Sequence, residues 1–464
     1  MSHSPIILND ISYSLPHKTC FAGFSTRIHA GKRIAIIGQN GSGKSTLLKI
    51  LQGHIEPSDG EVSIPANLEF GYVEQVITEL TCLSGAQRFN VMLSQALSNN
   101  PQVLCLDEPT NHLDRNNRKS LMRMLQSYAG TLIVVTHDVE FLRNCIDELW
   151  HIESGKIHVF NGAYDDYIYY RQKERNSIAN ELVQLEKERK KNHHDLMREQ
   201  ERAHKSKVHG EKKYADDKMA LRSAQGRGQL THSKNKKRIG AAKNEIVERL
   251  DSIRLPEVIT PKFSLPAYDI GNQTMVSVSE GQCGYAQPIL KDISLHMNAR
   301  DRLAVTGDNG SGKSTLIKAL MGRPEICRAG EWYTPKLDDI GYLDQHYATL
   351  DRESTPYTLI ANSAPNWTPA EIRRHLNDYL FRKNEEVNSK VQMLSGGEKM
   401  RLSLALVAAQ TPRLLILDEV TNNLDLETRA HMISVLREYP GGLIVISHDE
   451  DFLAEIGINC RFQL

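Results

Sequence analysis

The chain has 464 residues, 40 % hydrophobic and 25 % charged, which excludes wholesale disorder and leaves room for two or three domains. Lys+Arg and Asp+Glu both number 57, so a uniformly basic nucleic-acid binder is excluded, though a locally basic one is not. The apolar runs are strand-length, far below the roughly 18 residues that cross a bilayer. The N-terminus lacks a basic segment ahead of an apolar run, so no signal peptide is expected. The seven cysteines include no CxxC pair, which argues against a zinc or iron–sulfur site and for free thiols in a reducing cytosol.

Read in chain order, a strand pattern at Arg33–Ile37 runs into Gly38-Gln-Asn-Gly-Ser-Gly-Lys44-Ser45, and a helical pattern follows at Thr46–Leu51. Next come Gln75 in GYVEQ, Leu83-Ser84-Gly85, LCLDEPTNHLD (Leu104–Asp114) and LIVVTHDVEFL (Leu132–Leu142). The same series then returns: strand Leu303–Thr306, Gly307-Asp-Asn-Gly-Ser-Gly-Lys313-Ser314, helix Thr315–Leu320, Gln345 in GYLDQ, Leu394-Ser395-Gly396, LILDEVTNNLD (Leu415–Asp425) and LIVISHDEDFL (Leu443–Leu453). Such fidelity in the same order makes an internal repeat, the first thing to establish about a fold. Lys44 and Lys313 are 269 residues apart, whereas Leu83/Leu394, Asp107/Asp418 and His137/His448 are each 311 apart. The difference falls between the glutamine and the LSG motif, spanning 8 positions in copy one and 49 in copy two. The first copy is therefore expected to lack, between 76 and 82, most of a helical subdomain that the second keeps.

Between the copies, from about Tyr164 to Glu257, apolar residues recur at Ile178, Leu182 and Leu185, and again at Ile239, Ile246, Leu250 and Ile253, which is helical spacing. Glycines near Gly210 and Gln225–Gly228 break the middle. Two long antiparallel helices with an irregular tip are expected, arms of about 40 residues reaching roughly 60 Å. The predicted architecture is α/β: two P-loop NTPase domains, residues 1–162 and 261–464, joined by a basic helical hairpin at 163–260.

A GxxxxGK[ST] loop between a strand and a helix is a phosphate cradle. Gly38, Asn40, Gly41 and Gly43, and Gly307, Asn309, Gly310 and Gly312, let backbone N–H groups curl around phosphate, with the helix N-terminus adding its positive dipole end at Thr46 and Thr315. Lys44 and Lys313 supply cations to the β/γ oxygens. Ser45 and Ser314 are candidate Mg²⁺ ligands, with Asp107 and Asp418 holding the ion through water. The next residues, Glu108 and Glu419, are candidate bases for an attacking water.

These motifs resemble the ATP-binding-cassette ATPases. The resemblance implies ATP and Mg²⁺ as cofactors, Gln75 and Gln345 as sensors of the metal and γ-phosphate, His137 and His448 as switch histidines, and Tyr13 and Tyr285 as aromatics that stack on adenine. It also implies an intramolecular cassette dimer with ATP between the halves. Site one then joins Lys44, Asp107, Glu108 and His137 to Ser395, Gly396, Gly397 and Glu398. Site two joins Lys313, Asp418, Glu419 and His448 to Ser84, Gly85, Ala86 and Gln87. Departures cluster in site two, where Ala86 replaces a signature glycine and Val420 and Asn423 stand in place of Pro109 and His112. Site one is therefore expected to hydrolyse ATP and site two to be slower or mainly to bind it.

Two cassettes joined by a long charged hairpin, with LDEPTNHLD and the run FNGAYDDYIYYRQKE entering the linker, resemble the ABC-F translation factors. That resemblance implies a cytoplasmic protein that binds the ribosomal E site and acts near peptidyl-tRNA, in antibiotic protection or stalling relief. From Arg198 to Lys243 there are 14 Lys/Arg against 5 Asp/Glu, a cationic block suited to rRNA or tRNA phosphates. The first copy leaves no room for the extra arm common in the family, so stalk contact is not expected. The chief alternative is the ATPase subunit of an importer, which a basic hairpin of about 90 residues fits poorly. A DNA-repair cassette ATPase, expected to carry zinc-binding cysteine pairs or far longer coiled coils, and a low-turnover regulatory binder are further alternatives. No DNA partner is expected.

Overall fold

The computed structural model describes residues 3–15, 18–75, 85–111, 113–213, 273–308, 310–344, 347, 350–410, 412–421 and 424–464. The chain divides into two compact units, one formed by Met1–Asp165 with Val258–Leu464 and the other by Asp166–Glu257.

In the first unit the cassette folds twice. β1 (Ile6–Leu15), β2 (Lys18–Ile28) and β4 (Asp59–Ser63) make a three-stranded antiparallel sheet ordered β2-β1-β4. β3 (Arg33–Gly38), β5 (Phe70–Val73), β6 (Val103–Asp107), β7 (Thr131–Val135), β8 (Glu148–Glu153) and β9 (Lys156–Asn161) form the main sheet, ordered β5-β6-β7-β3-β8-β9. Only the β8–β9 pairing in it is antiparallel. The parallel strands read as unbroken apolar runs because both faces are covered. Ile34, Ile36, Cys105, Ile133 and Val135 pack with Leu47, Leu48 and Leu51 of α1 (Lys44–Leu51). Helices α2 (Gly85–Leu97), α3 (Arg115–Ser127) and α4 (Val139–Cys145) complete the described part of this copy.

Register positions the site. Val135 pairs with Ile36 on one side and Asp107 on the other, so the carboxyl ends of β3, β6 and β7 finish level. Ligands of open parallel sheets bind at such an edge. Here the phosphate loop leaves β3, the Asp107-Glu108 pair leaves β6 and His137 follows β7.

The long helix α5 (Tyr164–Lys213) runs 50 residues. It continues through Gly210, so the break expected there does not occur: one glycine costs about 1 kcal/mol inside a helix, too little to end it alone. The return arm and the tip lie outside the described residues.

The second cassette repeats the first. β10 (Thr274–Gly284), β11 (Pro288–Asn298) and β13 (Cys327–Tyr333) form the antiparallel sheet β11-β10-β13. β12 (Arg302–Thr306), β14 (Ile340–Asp344), β15 (Leu414–Asp418), β16 (Gly442–Ile446) and β17 (Cys460–Gln463) form the parallel sheet β14-β15-β16-β12-β17. Helix α6 (Lys313–Leu320) packs Leu316, Ile317 and Leu320 against one face of that sheet. Between β14 and the signature lie α7 (Pro356–Ser363), α8 (Pro369–Asp378) and α9 (Asn384–Asn388). Their Ile360, Leu376 and Val387 share a core with Met400 and Leu404 of α10 (Gly396–Gln410) and Met432 and Leu436 of α11 (Leu426–Glu438). The last helix, α12 (Glu450–Glu455), follows the second histidine motif.

Candidate nucleotide site

Both phosphate loops end in a left-handed glycine, Gly43 at φ 99° and Gly312 at φ 98°, each the N-cap of its helix. A side chain there would be strained, and a Cβ on Gly43 would stand 2.9 Å from the Cβ of Cys20. Gly41 and Gly310 face open space, leaving room for phosphate beside the backbone N–H groups. Lys44 Nζ is buried and donates to the carbonyls of Gly38 at 2.8 Å and Gln39 at 3.1 Å, with the Asn40 side-chain oxygen at 3.4 Å. Burial lowers its pKa, against the opposing pull of Glu108, Asp425 and Asp107. Lys313 Nζ repeats this with Gly307 and Asp308, both at 2.9 Å.

Glu108 and Glu419 adopt φ 49° and φ 50°, left-handed conformations that non-glycine residues rarely hold. Such strain costs on the order of 1–3 kcal/mol and persists where the surroundings over-determine it. Here the Glu108 N–H donates to Val135 O at 2.8 Å and the Glu419 N–H to Ile446 O at 3.0 Å, pinning each glutamate to the neighbouring strand. His137 Nε2 lies 3.5 Å from Glu108 Oε1, and His448 Nε2 lies 3.9 Å from Glu419 Oε1. Burial pushes His137 well below its ordinary value, helped by Lys44, and lowers His448 likewise with Lys313 adding to it, so both rings are neutral donors near pH 7.

Burial also pushes the Glu108 carboxyl up to about 8, with Lys44 opposing and Asp107 adding to the rise. Between the ordinary carboxyl value of 4.5 and about 8, the folded nucleotide-free chain holds a proton that the unfolded chain has released. Stability should therefore fall as pH rises through that window, by an amount of order a few kcal/mol. Chemical denaturation between about pH 5 and about pH 8.5 should show Glu108→Gln flattening the slope; an unchanged slope would place the titration elsewhere.

The metal-binding chemistry fits the residues present. Burial raises the Asp107 and Asp418 carboxyls, and Ser45 and Ser314 pull them back down, which sets each loop serine beside the aspartate that ends the neighbouring strand. Asp107 Oδ1, Ser42 Oγ and both His137 ring nitrogens are buried without a hydrogen-bond partner, a cluster of unmet polar atoms that a nucleotide with its cation would satisfy. Magnesium held there would neutralise phosphate charge. The second copy differs: Tyr342 donates to Asp418 Oδ2 at 3.2 Å. Glu419 is also more open, its side chain 29 % exposed against 11 % for Glu108.

Across the two cassettes, Asp425 caps α11, accepting from the Thr428 N–H at 2.8 Å, and its other oxygen accepts from the Asn40 N–H at 3.2 Å. Gln39 Nε2 donates to Glu427 Oε2 at 2.6 Å. Asp114 in turn acts electrostatically on Lys313 and His448. Each LD turn thus addresses the other copy's phosphate loop. These cross-contacts escape sequence reading because nothing in the repeat says which face meets which.

The signature serine begins a capping box. Ser395 N–H and Oγ both donate to Glu398 Oε2 at 2.7 Å, and the Glu398 N–H donates back to Ser395 Oγ at 3.4 Å. Gly396 and Gly397 open the 15-residue helix α10, presenting its positive end. Gly85 opens α2; Ser84, Asn309 and Gln345 lie outside the described residues, and Gln75 is exposed just after β5. Tyr13 is half-buried on β1 with its ring 6.3 Å from that of Phe21. Tyr285 is 44 % exposed in the β10–β11 turn, and Lys318 Nζ donates to its hydroxyl at 3.2 Å. Arg118 and Arg429, which sequence reading passed over, hold Asp138 and Asp449 at 3.3 Å each. These aspartates cap α4 and α12 directly after the histidines. Both pairs keep the 311-residue offset, the signal that would have revealed them.

A strand–loop–helix phosphate cradle, an Asp-Glu pair and a switch histidine at one sheet edge, twice over, define a tandem P-loop NTPase of the ATP-binding-cassette class. A family model described as "ABC transporter" matches residues 21–69 and 290–422, and one described as an AAA domain matches 84–143. The chain is 28 % identical to "Ribosome protection protein VmlR" of Bacillus subtilis, over 97 % of this chain and 84 % of that one. It is 25 % identical to "Uncharacterized ABC transporter ATP-binding protein YfmM" of the same organism, over 99 % and 98 %. "ATP-binding protein Uup" of Buchnera aphidicola is 28 % identical, over 92 % and 75 %. Relatives of the ABC-F type thus match nearly the whole of this chain at 25–28 % identity. No helix among the described residues is long and apolar enough to cross a membrane.

Proposed function

We propose that this chain is an ABC-F translation factor that binds the ribosomal E site and uses ATP to set the posture of its basic helical linker toward peptidyl-tRNA or the peptidyl-transferase centre. The observation that carries this reading is near full-length similarity to a protein named for ribosome protection, joined to the cationic block at 198–243. On this reading ATP sits between the cassettes. Lys44 and Lys313 neutralise phosphate oxygens, neutral His137 and His448 donate to the γ-phosphate, and the signature helix of the opposite copy turns its positive end toward it. Glu108, once the approach of positive charge has released its proton, takes a proton from water as that water attacks. Ser45, Asp107 and Gln75, and Ser314, Asp418 and Gln345, would hold magnesium. Tyr285, and with less free surface Tyr13, are the candidates to stack on adenine. Hydrolysis loosens the pair and permits release.

Co-sedimentation tests this. With ATP, a Glu108→Gln/Glu419→Gln chain is expected to pellet with ribosomes and inhibit translation, and imaging of that complex should find it in the E site. Fractionation with membranes instead would favour the importer subunit.

A further inference from the structure

The two switch helices are held differently. Arg143, in α4 of the first cassette, donates through Nε to Asp165 Oδ1 at 2.9 Å and through Nη1 to Asp451 Oδ2 at 2.7 Å. Asp165 lies in the first turn of α5, the helix that enters the linker; Asp451 lies in α12, three residues after His448. Arg115 of the first cassette also pairs with Glu450 of α12 at 3.1 Å, and Arg461 holds Glu450 from its other side at 2.8 Å. Beside Asp165, Tyr164 is buried at 6 % exposure, with Arg429, Arg143 and Glu455 among the charges acting on it. Arg429 in turn bonds Asp449, the residue after His448, and Glu455 at the far end of α12.

The mirror arrangement is chemically impossible. At the 311-residue offset, Arg143 corresponds to Ala454, Arg115 to Leu426 and Glu450 to Val139, none of which can form an ion pair. The clasp is therefore one-sided: its cation stands in α4, the first cassette's switch helix after His137, and its anion in α12, the second's. Both switch helices thus meet at the root of the linker helix, α4 directly through Arg143–Asp165 and α12 by way of Asp451–Arg143.

We propose that Arg143 is the positioning residue that transmits the state of the second nucleotide site to the linker: His448 moves α12, Asp451 moves Arg143, and Arg143 moves the first turn of α5 through Asp165. This rests on the reading that nucleotide draws the two cassettes together, and it adds that the second site reaches the linker by way of the first cassette's switch helix. An element with two arrangements, biased at one end by ligand and at the other by the linker, is what such coupling requires.

Hydrogen exchange on the full chain in the Glu108→Gln/Glu419→Gln background, with and without ATP and without ribosomes, tests it. ATP is expected to slow exchange about fivefold or more both at the phosphate loop (38–46) and at the root of α5 (164–171). Asp451→Ala, which alters no linker residue, should leave the phosphate-loop response intact and reduce the α5 response to less than about twofold. Arg143→Lys should retain most of the α5 response and Arg143→Ala should abolish it. Arg115→Ala, which breaks the clasp without touching Asp165, should keep it. Lys313→Ala, which disables the second site, should reduce the α5 response as Asp451→Ala does. An α5 response that persists in Asp451→Ala beside an intact phosphate-loop response overturns the relay alone. Absence of any phosphate-loop response to ATP overturns the closure reading and the relay with it.

Discussion

Glutamine in place of Glu108 will lower ATP turnover by about 10²–10⁴-fold, the range a positioned general base contributes. The same change at Glu419 will cost markedly less. The geometry argues for this order. Glu108 stands nearer its histidine, at 3.5 Å against 3.9 Å, and is the less exposed of the two. Its phosphate loop is latched across the interface by Gln39–Glu427 and Asn40–Asp425. The residues at the Gln39–Glu427 positions on the other side are Asp308 and Asn116, a pairing that cannot reproduce the same amide-to-carboxylate bond in the same sense. On the proposed closure the first site would also meet the full Ser395-Gly396-Gly397-Glu398 signature, and the second one with Ala86. Steady-state phosphate release from the two single variants decides the matter; equal or greater loss in Glu419→Gln removes the asymmetry.

Ribosome association of the doubly substituted, ATP-loaded chain will weaken steeply with salt. A protein that neutralises 6–10 phosphates becomes about 10³–10⁵-fold weaker in affinity between 50 and 200 mM salt, because those phosphates release condensed counterions. The excess of 14 Lys/Arg over 5 Asp/Glu between Arg198 and Lys243 suits a slope of that order. Replacing Lys234, Lys236, Lys237 and Arg238 by glutamine should reduce the slope by up to four, about one for each phosphate left without its cation. Nucleotide binding, which depends on Lys44 and Lys313, should stay as it was. Pelleting that survives several hundred millimolar salt unchanged would mean that apolar or shape complementarity, not charge, holds the complex.

What local sequence discloses about this chain, and what it conceals, have physical causes. The phosphate loops, the Asp-Glu pairs and the histidines were legible because each is a short local motif whose chemistry requires particular residue types at a set spacing. The parallel sheets were legible because strands covered on both faces, such as Val103–Asp107 and Leu414–Asp418, leave unbroken apolar runs. The break expected near Gly210 does not occur at that residue, since a single glycine weakens a helix without stopping it.

The sequence by itself determined that two nucleotide-binding cassettes lie in this chain, where each phosphate loop falls, and that a segment rich in Lys and Arg separates them. Tertiary structure alone decided the left-handed turn that aims Glu108 and Glu419, the unmet polar atoms around Asp107 and His137, and the meeting of Asp425 with Asn40 and of Arg143 with Asp165 and Asp451. Asp425 and Asn40 are 385 positions apart, and Arg143 and Asp451 are 308 apart. A contact at such separation is set by how packed layers bring remote loops together, and local spacing carries no record of it.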